Sequence, residues 1–303
     1  MSQLAGEAGR LALPALVLHG GAGTFERVES ARDGRGLEEA LGRAVAAGWV
    51  VLDRPGADPL DAVVAAVVSM EDSGLFNAGR GAVPTTDGTI ELDASVMDWS
   101  GRVGAVAGAR YPANPVLVAK AVAEMGGLPD GPILLGGDGA DMFARRSGAR
   151  GMRPSGLTGR GESPPGPAHS AQGTVGAVAV DRAGHVAAAT STGGRSGQLR
   201  GRIGDTPIPG AGVFADGSTV AVSATGTGEV FIVTGFSHRV DWALKAGASV
   251  QEAVDAALEL VALQKGQGGC VAVTPTGEFA ARFNSRAMAR AFRDPNGQET
   301  RIL

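Results

Sequence analysis

A long stretch poor in apolar side chains divides this chain, and an apolar strand pattern begins directly after it. Residues 145–172 contain ten glycines and prolines, with several serines and arginines between them. Because few apolar side chains are available there to offset the entropy of ordering, this composition predicts a mobile linker. The following stretch, Gly173–Asp181, reads Gly-Thr-Val-Gly-Ala-Val-Ala-Val-Asp and predicts a buried strand that begins at Thr174. The linker therefore separates residues 1–173 from residues 174–303.

Thr174 stands where a break in the backbone would be tolerated. An exposed loop that runs into a strand is a common place for chain cleavage. Cleavage before Thr174 would leave a hydroxyl next to its own free α-amine, and an N-terminal threonine activated in this way is a recognised nucleophile. The alternative interpretation is an ordinary β-branched strand residue, and this stretch alone does not decide between the two.

The remaining pattern predicts hairpins and helix pairs on both sides of the linker. Leu37–Leu52 and Asp58–Met70 have the apolar spacing of helices, and Asp58-Pro59 is typical of an N-cap followed by proline in the first turn. Strand pairs are predicted within residues 89–109, 174–190 and 270–283, with further helices over 229–245 and 250–264. Since strands and helices are segregated, we expect an α+β fold of mainly antiparallel sheets covered by helices, a four-layer αββα sandwich. We expect one domain, because the 130 residues from Thr174 onward are few for independent layers.

Composition excludes several classes of protein. The net charge of −4 gives no basic surface for nucleic acid or an acidic membrane. The single cysteine, Cys270, forms no intrachain disulfide, and its position in an apolar run predicts a buried thiol. The apolar run Leu11–Leu18 is too short to cross a membrane and contains Pro14, so we expect a cytoplasmic protein.

Polar, glycine-rich stretches follow Thr174 beside the apolar strands, at Thr190–Gly194, Gly201–Asp205 and Ala224–Glu229. Together they supply hydroxyls, an arginine, an aspartate and unhindered backbone amides, as a hydrolase for the amide of a zwitterionic amino acid would require. Arg202 can bind a carboxylate through two hydrogen bonds, and Asp205 can bind an ammonium group. A surface ion pair between these two residues is the alternative.

The order of these motifs resembles the plant-type L-asparaginases, also called isoaspartyl peptidases or β-aspartyl-peptidases, which are N-terminal nucleophile hydrolases. The matching stretches cover nearly the whole chain: Leu18–Gly23, Phe76–Gly79, Glu91–Ser95, Gly173–Gly176, Thr190–Gly193, Gly201–Asp205, Pro207–Gly212 and Ala224–Gly226. The resemblance implies an αββα sandwich cleaved into two subunits, and a homodimer of cleaved protomers. It also implies hydrolysis of L-asparagine and β-aspartyl dipeptides through a covalent acyl-enzyme.

The resemblance also assigns catalytic roles. The residues concerned are Thr174 as the nucleophile freed by cleavage of the Gly173–Thr174 bond, Thr192 beside it, the Thr225 hydroxyl and Gly226 N–H as the oxyanion hole, and Asn77 near the scissile bond. In substrate binding, Arg202 would hold the α-carboxylate, and Asp205 with the Gly226 carbonyl would hold the α-ammonium group.

No cofactor is implied for the chemistry, but the resemblance implies a structural sodium ion. Its ligands would be main-chain carbonyls of Met70, Glu71, Ser73, Phe76, Ala78 and Arg80, and oxygen ligands suit a hard cation.

Other functions remain open at this point. Glycosylasparaginases carry Thr-Gly-Asn-Gly where this chain has Thr225-Gly-Thr-Gly228, which favours the asparaginase interpretation. A non-catalytic protein that binds anions at Gly20–Gly23 would not need Thr174 at a strand start. A serine hydrolase would need Ser191 or Ser223, and neither lies in a Gly-x-Ser-x-Gly elbow. His19 is most simply a hydrogen-bonded histidine at a strand end. The leaving group would face solvent, so the sequence does not decide between asparagine and isoaspartyl dipeptides.

Overall fold

The structure is a computed structural model that describes residues 4–23, 31–126, 129–152 and 173–302. Most of the predicted linker, residues 153–172, therefore lies outside the described residues. The first part of that stretch is ordered: Arg145 and Arg146 end a helix, and the backbone N–H of Met152 donates to the Tyr111 carbonyl.

The described residues form seven α-helices and thirteen strands. The helices are α1 (Ala31–Leu52), α2 (Pro59–Ser73), α3 (Pro115–Ala123), α4 (Gly137–Arg146), α5 (Gly228–Thr234), α6 (Phe236–Lys245) and α7 (Val250–Leu263). The strands are β1 (Ala5–Arg10), β2 (Ala15–Gly23), β3 (Leu92–Asp98), β4 (Val103–Ala109), β5 (Leu134–Gly136), β6 (Val175–Val180), β7 (Val186–Thr192), β8 (Val213–Asp216), β9 (Val220–Gly226), β10 (Gly268–Val273), β11 (Glu278–Phe283), β12 (Ala287–Asp294) and β13 (Gly297–Arg301).

Two sheets contain all of these strands. The smaller has the order β1-β11-β10-β9-β8 and the larger β13-β12-β2-β6-β7-β3-β4-β5. Neighbours are antiparallel except for β4 and β5. The larger sheet combines strands from before Thr174 (β2 to β5) with strands from after it, and in the smaller sheet β1 pairs with β11. The two sides of the predicted linker are thus built into the same sheets.

Three apolar cores separate four layers. In β2, Leu16 and Leu18 face helices α1 to α4, whereas Ala15 and Val17 face the smaller sheet. This alternation follows from the two-residue period of a strand, and both faces are apolar because the strand is covered on both sides. The third core lies between the smaller sheet and α5 to α7. The layers are helix, sheet, sheet, helix, in agreement with the predicted sandwich.

Most predicted helices and hairpins are confirmed, and the differences have local causes. Asp58 caps α2, since its side chain accepts a hydrogen bond from the N–H of Leu60. The single helix predicted over 229–245 is two helices, because Gly235 ends α5 in the left-handed conformation with φ of 59°. Strands β1, β8, β12 and β13 were not predicted. Two of these, β1 and β13, are edge strands rich in glycine and polar residues.

Cys270 is a buried free thiol in β10, as predicted. Burial raises its pKa. Among the described residues, none of the helices has the length and apolar character that crossing a bilayer requires.

Candidate active site

Thr174 lies directly before β6, at the wall of a cavity of about 460 Å³. The ladder between β6 and β7 pairs Val175 with Ser191, so one further step places Thr174 opposite Thr192. Thr174 is 8% exposed, which leaves a small part of it accessible from the cavity. The strand predicted from the sequence therefore presents its first residue to a cleft.

The bond before Thr174 is seated against β2. Gly173 has φ of 154°, and a Cβ added to it would lie 2.5 Å from the Gly21 Cα and 2.9 Å from the Ala22 nitrogen. A Cβ on Gly21 would in turn lie 2.7 Å from the Gly173 Cα. Two backbones can approach this closely only where neither residue has a side chain. The glycine run after His19 thus serves backbone packing at the Gly173–Thr174 bond.

Thr192 ends β7 and is buried. Its Oγ1 accepts a hydrogen bond from the Gly194 N–H at 3.0 Å, and Asp93 of β3 is its partner on the other side of the ladder. Asn77 holds the same loop, because its Nδ2 donates to the Gly194 carbonyl at 2.7 Å and its Oδ1 accepts from the Val83 N–H. Asn77 lines the cavity together with Thr174, and its amide is bonded to backbone groups.

Thr225 and Gly226 end β9, beside Gly269 and Gly268 of β10. The Thr225 Oγ1 is fully buried and has no hydrogen-bond partner among the described residues. An unpaired buried hydroxyl is costly, so such groups in native proteins call for an explanation. Gly226 lines the cavity. A free hydroxyl at this place can donate to an oxygen that becomes negatively charged during a reaction.

Arg202 and Asp205 lie together, since a Cβ on Gly228 would fall 3.0 Å from Arg202 Nη2 and 2.8 Å from Asp205 Oδ1. The ion pair of Arg202 is nevertheless with Glu229: Nε and Nη2 donate to the two carboxylate oxygens, each at 2.9 Å. Nη1 has only a long contact of 3.4 Å to Gln198 Oε1. The sequence suggested a surface ion pair between Arg202 and Asp205, but the ion pair of Arg202 forms with Glu229.

The charges around Arg202 influence one another. Burial opposes the charge of Arg202, but the hydrogen bonds and charge of Glu229, with Asp205 and Asp93 nearby, raise its pKa overall. Burial raises the pKa of Asp205 to about 7, Arg202 lowers it, and Asp93 and Glu229 raise it further. Asp205 Oδ2 has no hydrogen-bond partner among the described residues. One carboxylate oxygen is therefore available to a cation.

His19 lies closer to this site than its sequence position indicated, in the interior of β2 and opposite Gly176. Its Nε2 is 2.9 Å from Ser223 Oγ, which in turn is 2.8 Å from Thr190 Oγ1. Burial lowers the pKa of His19 to about 3, against a hydrogen bond with the Thr174 backbone. His19 is therefore neutral near pH 7 and is far too weak a base for proton transfer there.

The two serines considered as nucleophiles are fully buried, and neither lines the cavity. Ser223 is bonded to His19, and Ser191 Oγ donates to Glu71 Oε1 at 2.6 Å. This placement disfavours the serine hydrolase alternative.

The segment proposed for sodium spans the end of α2 and the loop after it. Of the six residues proposed from the sequence, Met70, Glu71 and Ser73 lie in α2, and Phe76, Ala78 and Arg80 follow it. A Cβ on Gly81 would lie 2.1 Å from the Phe76 carbonyl oxygen and 2.9 Å from that of Gly74, so carbonyl oxygens crowd the inside of this loop. Glu71 Oε2 is buried without a hydrogen-bond partner among the described residues, and burial raises the pKa of Glu71 to about 8. Side chains of the described residues form no group of three or more His, Cys, Asp or Glu suited to a metal. Main-chain carbonyls are thus the oxygen donors available here.

Sequence reasoning missed three participants: Glu229, Asp93 and the His19–Ser223 pair. Asp93 had a visible signal, because Glu91, Asp93 and Ser95 are polar at every second position of an otherwise apolar strand. Glu229 and Ser223 had none, since each meets its partner only through the fold.

Comparison with known proteins gives a family model described as Asparaginase, which matches residues 12–161 and 156–302. A plant-type L-asparaginase of Pyrobaculum calidifontis is 40% identical over 92% of this chain and 97% of its own length. An isoaspartyl peptidase of Salmonella typhimurium is 39% identical over 91% of this chain and 94% of its own length. A human protein named isoaspartyl peptidase/L-asparaginase is 36% identical, with 91% of each chain covered.

Proposed function

Because the chain belongs to the asparaginase family, we propose that this enzyme hydrolyses the side-chain amide of L-asparagine and the isopeptide bond of β-aspartyl dipeptides. The observation that carries the proposal is the shared cavity: Thr174 lines it at the start of β6, and Gly226 lines it next to the unpaired hydroxyl of Thr225. A nucleophile and a donor for the oxyanion are the two parts that acyl transfer requires.

We propose that the chain first cleaves itself. The Thr174 hydroxyl attacks the Gly173 carbonyl, the peptide bond to the Thr174 nitrogen breaks, and water hydrolyses the resulting ester. The products are a chain that ends at Gly173 and one that begins with the free α-amine of Thr174. The close contact of Gly173 with Gly21 supports this step, because it fixes the carbonyl beside its attacker.

In turnover, the α-amine of Thr174 takes the proton of its own hydroxyl as Oγ1 attacks the substrate's side-chain carbonyl. The Thr225 hydroxyl and Gly226 N–H donate to the oxyanion, and Thr192 lies beside the nucleophile. Ammonia or an amino acid leaves with the proton. Water then attacks the β-aspartyl ester on Thr174, which releases aspartate and restores the enzyme.

We propose that Arg202 and Asp205 bind the α-carboxylate and α-ammonium groups of the substrate. Glu229 occupies the edge of the guanidinium formed by Nε and Nη2, so the edge formed by Nη1 and Nη2 can still bind a carboxylate. The unpaired Oδ2 of Asp205 is available to the ammonium group.

The cavity that Thr174 lines also has a cationic side chain, which can bind the carboxylate of a leaving amino acid. Arg195 lines it, and its charge acts on Glu229, the ion-pair partner of Arg202. In a β-aspartyl dipeptide the leaving amino acid has a carboxylate, whereas asparagine releases ammonia. We propose that Arg195 attracts that carboxylate and so favours dipeptides.

Two assembly features complete the proposal. The carbonyl-lined loop after α2 would hold a structural sodium ion, which would raise the midpoint of thermal unfolding in NaCl above that in choline chloride. A homodimer of cleaved protomers, as the family resemblance implies, is the second feature. Sedimentation of the purified protein tests it.

The whole proposal is tested by intact mass and activity on the same sample. Wild type is expected to give two chains divided at Gly173–Thr174 and to release ammonia from asparagine. Thr174→Ala is expected to stay one inactive chain, while Thr174→Ser, which keeps a hydroxyl, cleaves more slowly. A wild-type chain that stays intact and inactive would refute the proposal. Preference for an asparagine-linked sugar would favour a glycosylasparaginase, and anion binding without turnover would favour the non-catalytic alternative.

A further inference from the structure

Strand β3 and Glu91, the residue directly before it, present three polar side chains to the loop of residues 201–206, called the clamp loop below, which carries Arg202 and Asp205. Ala94 and Val96, which alternate with Asp93 and Ser95 along the strand, pack into the core against the helices, so Asp93 and Ser95 lie on the opposite face. All three are nearly or fully buried. The residues are Glu91, Asp93 and Ser95.

Each of the three holds a different point of the clamp loop. Glu91 Oε2 accepts a hydrogen bond from the Gly201 N–H at 2.7 Å. The Asp93 carboxylate faces the backbone of Gly204 and the side chain of Arg202, both of which lower its pKa against the effect of burial. Ser95 Oγ donates to the Thr206 carbonyl at 2.5 Å. Side chains at every second position thus contact the clamp loop at successive points of its backbone. These points lie before Arg202, between Arg202 and Asp205, and after Asp205.

A bulge in β4 fixes Asp93 from the other side. The register between β3 and β4 shifts between Leu92 and Ala94, which leaves an extra residue in β4 near Gly108. The Gly108 N–H then donates to Asp93 Oδ1 at 2.8 Å. Bulges commonly redirect a backbone group in this way near functional sites. Asp93 Oδ1 is therefore held in place by a backbone donor of β4.

Asp93 also changes the charge of the site. Arg202 is the cation that faces Asp93, Asp205 and Glu229, and Glu91 lies beside Asp93. Arg195 also acts on Glu229, and Arg200 lies 3.8 Å from Glu91. The four carboxylates still outnumber these three guanidinium groups, which favours a ligand that carries an ammonium group.

We propose that Glu91, Asp93 and Ser95 are positioning residues of the substrate clamp: they fix the clamp loop so that Arg202 and Asp205 fit an α-amino acid, and Asp93 adds selectivity for the α-ammonium group. The inference rests on the proposed function. It assigns a task to the Glu91–Ser95 motif, which the chemistry at Thr174 does not use.

The experiment compares Asp93→Asn and Ser95→Ala with wild type on two substrates. One is L-asparagine, and the other is succinamate, which has the same amide and carboxylate but no α-amine. Asp141→Asn is the matched control, because the carboxylate of Asp141 also accepts from backbone donors, the N–H groups of Arg110 and Tyr111, but does not touch the clamp loop. Self-cleavage at Gly173 reports whether each variant folds.

Both test variants are expected to cleave themselves normally and to have KM for asparagine raised roughly tenfold, the size of one lost hydrogen bond to a charged or fixed group. The kcat should stay within about threefold of wild type, since the chemistry at Thr174 is unchanged. Only Asp93→Asn should reduce the ratio of kcat/KM for asparagine to kcat/KM for succinamate. Only this variant should also shift the acid limb of the kcat/KM profile to lower pH. That shift follows because the variant removes a carboxylate charge that faces Asp205.

Unchanged KM, preference and acid limb in Asp93→Asn would overturn the inference and leave these residues a purely structural role. If Asp93→Asn does not fold, Ser95→Ala decides: a KM equal to that of wild type refutes the positioning role. A wild type inactive on asparagine and β-aspartyl dipeptides would instead refute the proposed function, so the two failures are distinguishable.

Discussion

The nucleophile side of the candidate site, made up of Thr174, Thr192, Thr225 and Gly226, rests on strand ends, whereas the clamp loop is a coil. On the nucleophile side, position comes from ladder hydrogen bonds, and the functional groups are hydroxyls and backbone. In the clamp loop, position comes from buried side chains of another strand, and the functional groups are charged. In a regular strand ladder, backbone hydrogen bonds alone fix the position of a residue. A coil has no ladder, so side chains of other segments must hold its backbone in place.

The difference predicts which changes affect chemistry and which affect binding. Changes on the nucleophile side should disturb backbone fit and impair cleavage and kcat together. Changes in the clamp loop should leave self-cleavage intact and weaken substrate binding, since self-cleavage needs no α-amino acid.

The largest effect is expected on the nucleophile side, for Gly173→Ala. The new Cβ would meet backbone atoms of Gly21 and Ala22, which cannot move aside as a side-chain end could. We expect self-cleavage to slow by at least about a hundredfold, because small displacements of a reacting carbonyl cost that much. A time course on denaturing gels measures it.

Gly101→Ala is the matched control, because Gly101 also has a positive φ, of 86°, but faces open space. It should cleave normally and lose about 1 kcal/mol of stability. Cleavage of Gly173→Ala at the wild-type rate would show that the backbone contact is not needed.

The next effect is expected in the clamp loop, for Arg202→Ala. Loss of this half-buried cation should cost roughly 2–5 kcal/mol in kcat/KM for asparagine, the range for truncating one member of a buried charge pair. Self-cleavage should be unchanged. Steady-state kinetics and intact mass measure the two.

Arg200→Ala is the control for charge alone, since Arg200 is exposed and its contacts to Asp87 and Glu91 are long, at 3.8 Å. It should change kcat/KM by less than about 1 kcal/mol. If Arg202→Ala is as active as wild type on asparagine, Arg202 does not bind the α-carboxylate of the substrate.

The pH dependence should separate the two regions. The Thr174 α-amine, with an ordinary pKa of roughly 7.7–8.0, must be neutral to act as base, and burial would lower that value. Asp205, whose pKa burial raises to about 7, must be ionised to bind the ammonium group. Both requirements fail as the pH falls. A plot of log(kcat/KM) against pH should therefore rise with a slope approaching about 2 on the acid side, whereas log kcat should rise with a slope of about 1.

His19 should not contribute to the acid-side decrease of kcat/KM or of kcat, because its pKa of about 3 keeps it neutral over that pH range. Equal slopes for kcat and kcat/KM would mean that Asp205 does not titrate in the free enzyme.

The smallest effect is expected in the cavity that Thr174 lines, for Arg195→Ala. An exposed charge pair contributes about 0.2–1 kcal/mol, so kcat/KM for a β-aspartyl dipeptide should fall by up to about fivefold. Asparagine, which has no leaving carboxylate, should be hydrolysed as before. Arg195→Lys should retain the dipeptide rate, and an equal loss on both substrates would exclude a role in leaving-group binding.

The sequence by itself determined the layers and the candidate residues. Apolar alternation and helical spacing identified most strands and helices, and capping residues such as Asp58 marked a helix start, because these signals are local. The order of motifs placed Thr174, Thr192, Thr225 and Arg202 in one candidate site. Strands β1 and β13 escaped prediction because an edge strand is stabilised by its neighbour's hydrogen bonds and needs no apolar pattern of its own.

Only the tertiary structure decided the partners. It brought Gly173 against Gly21, paired Arg202 with Glu229 and left the Thr225 hydroxyl unpaired. It also placed Asp93 under the clamp loop and buried His19 so that its pKa falls. These outcomes depend on strand register and on the removal of water, which bring together residues far apart in the chain. A residue's own sequence neighbourhood records its chemistry, but the partner that sets its charge or position is chosen by packing.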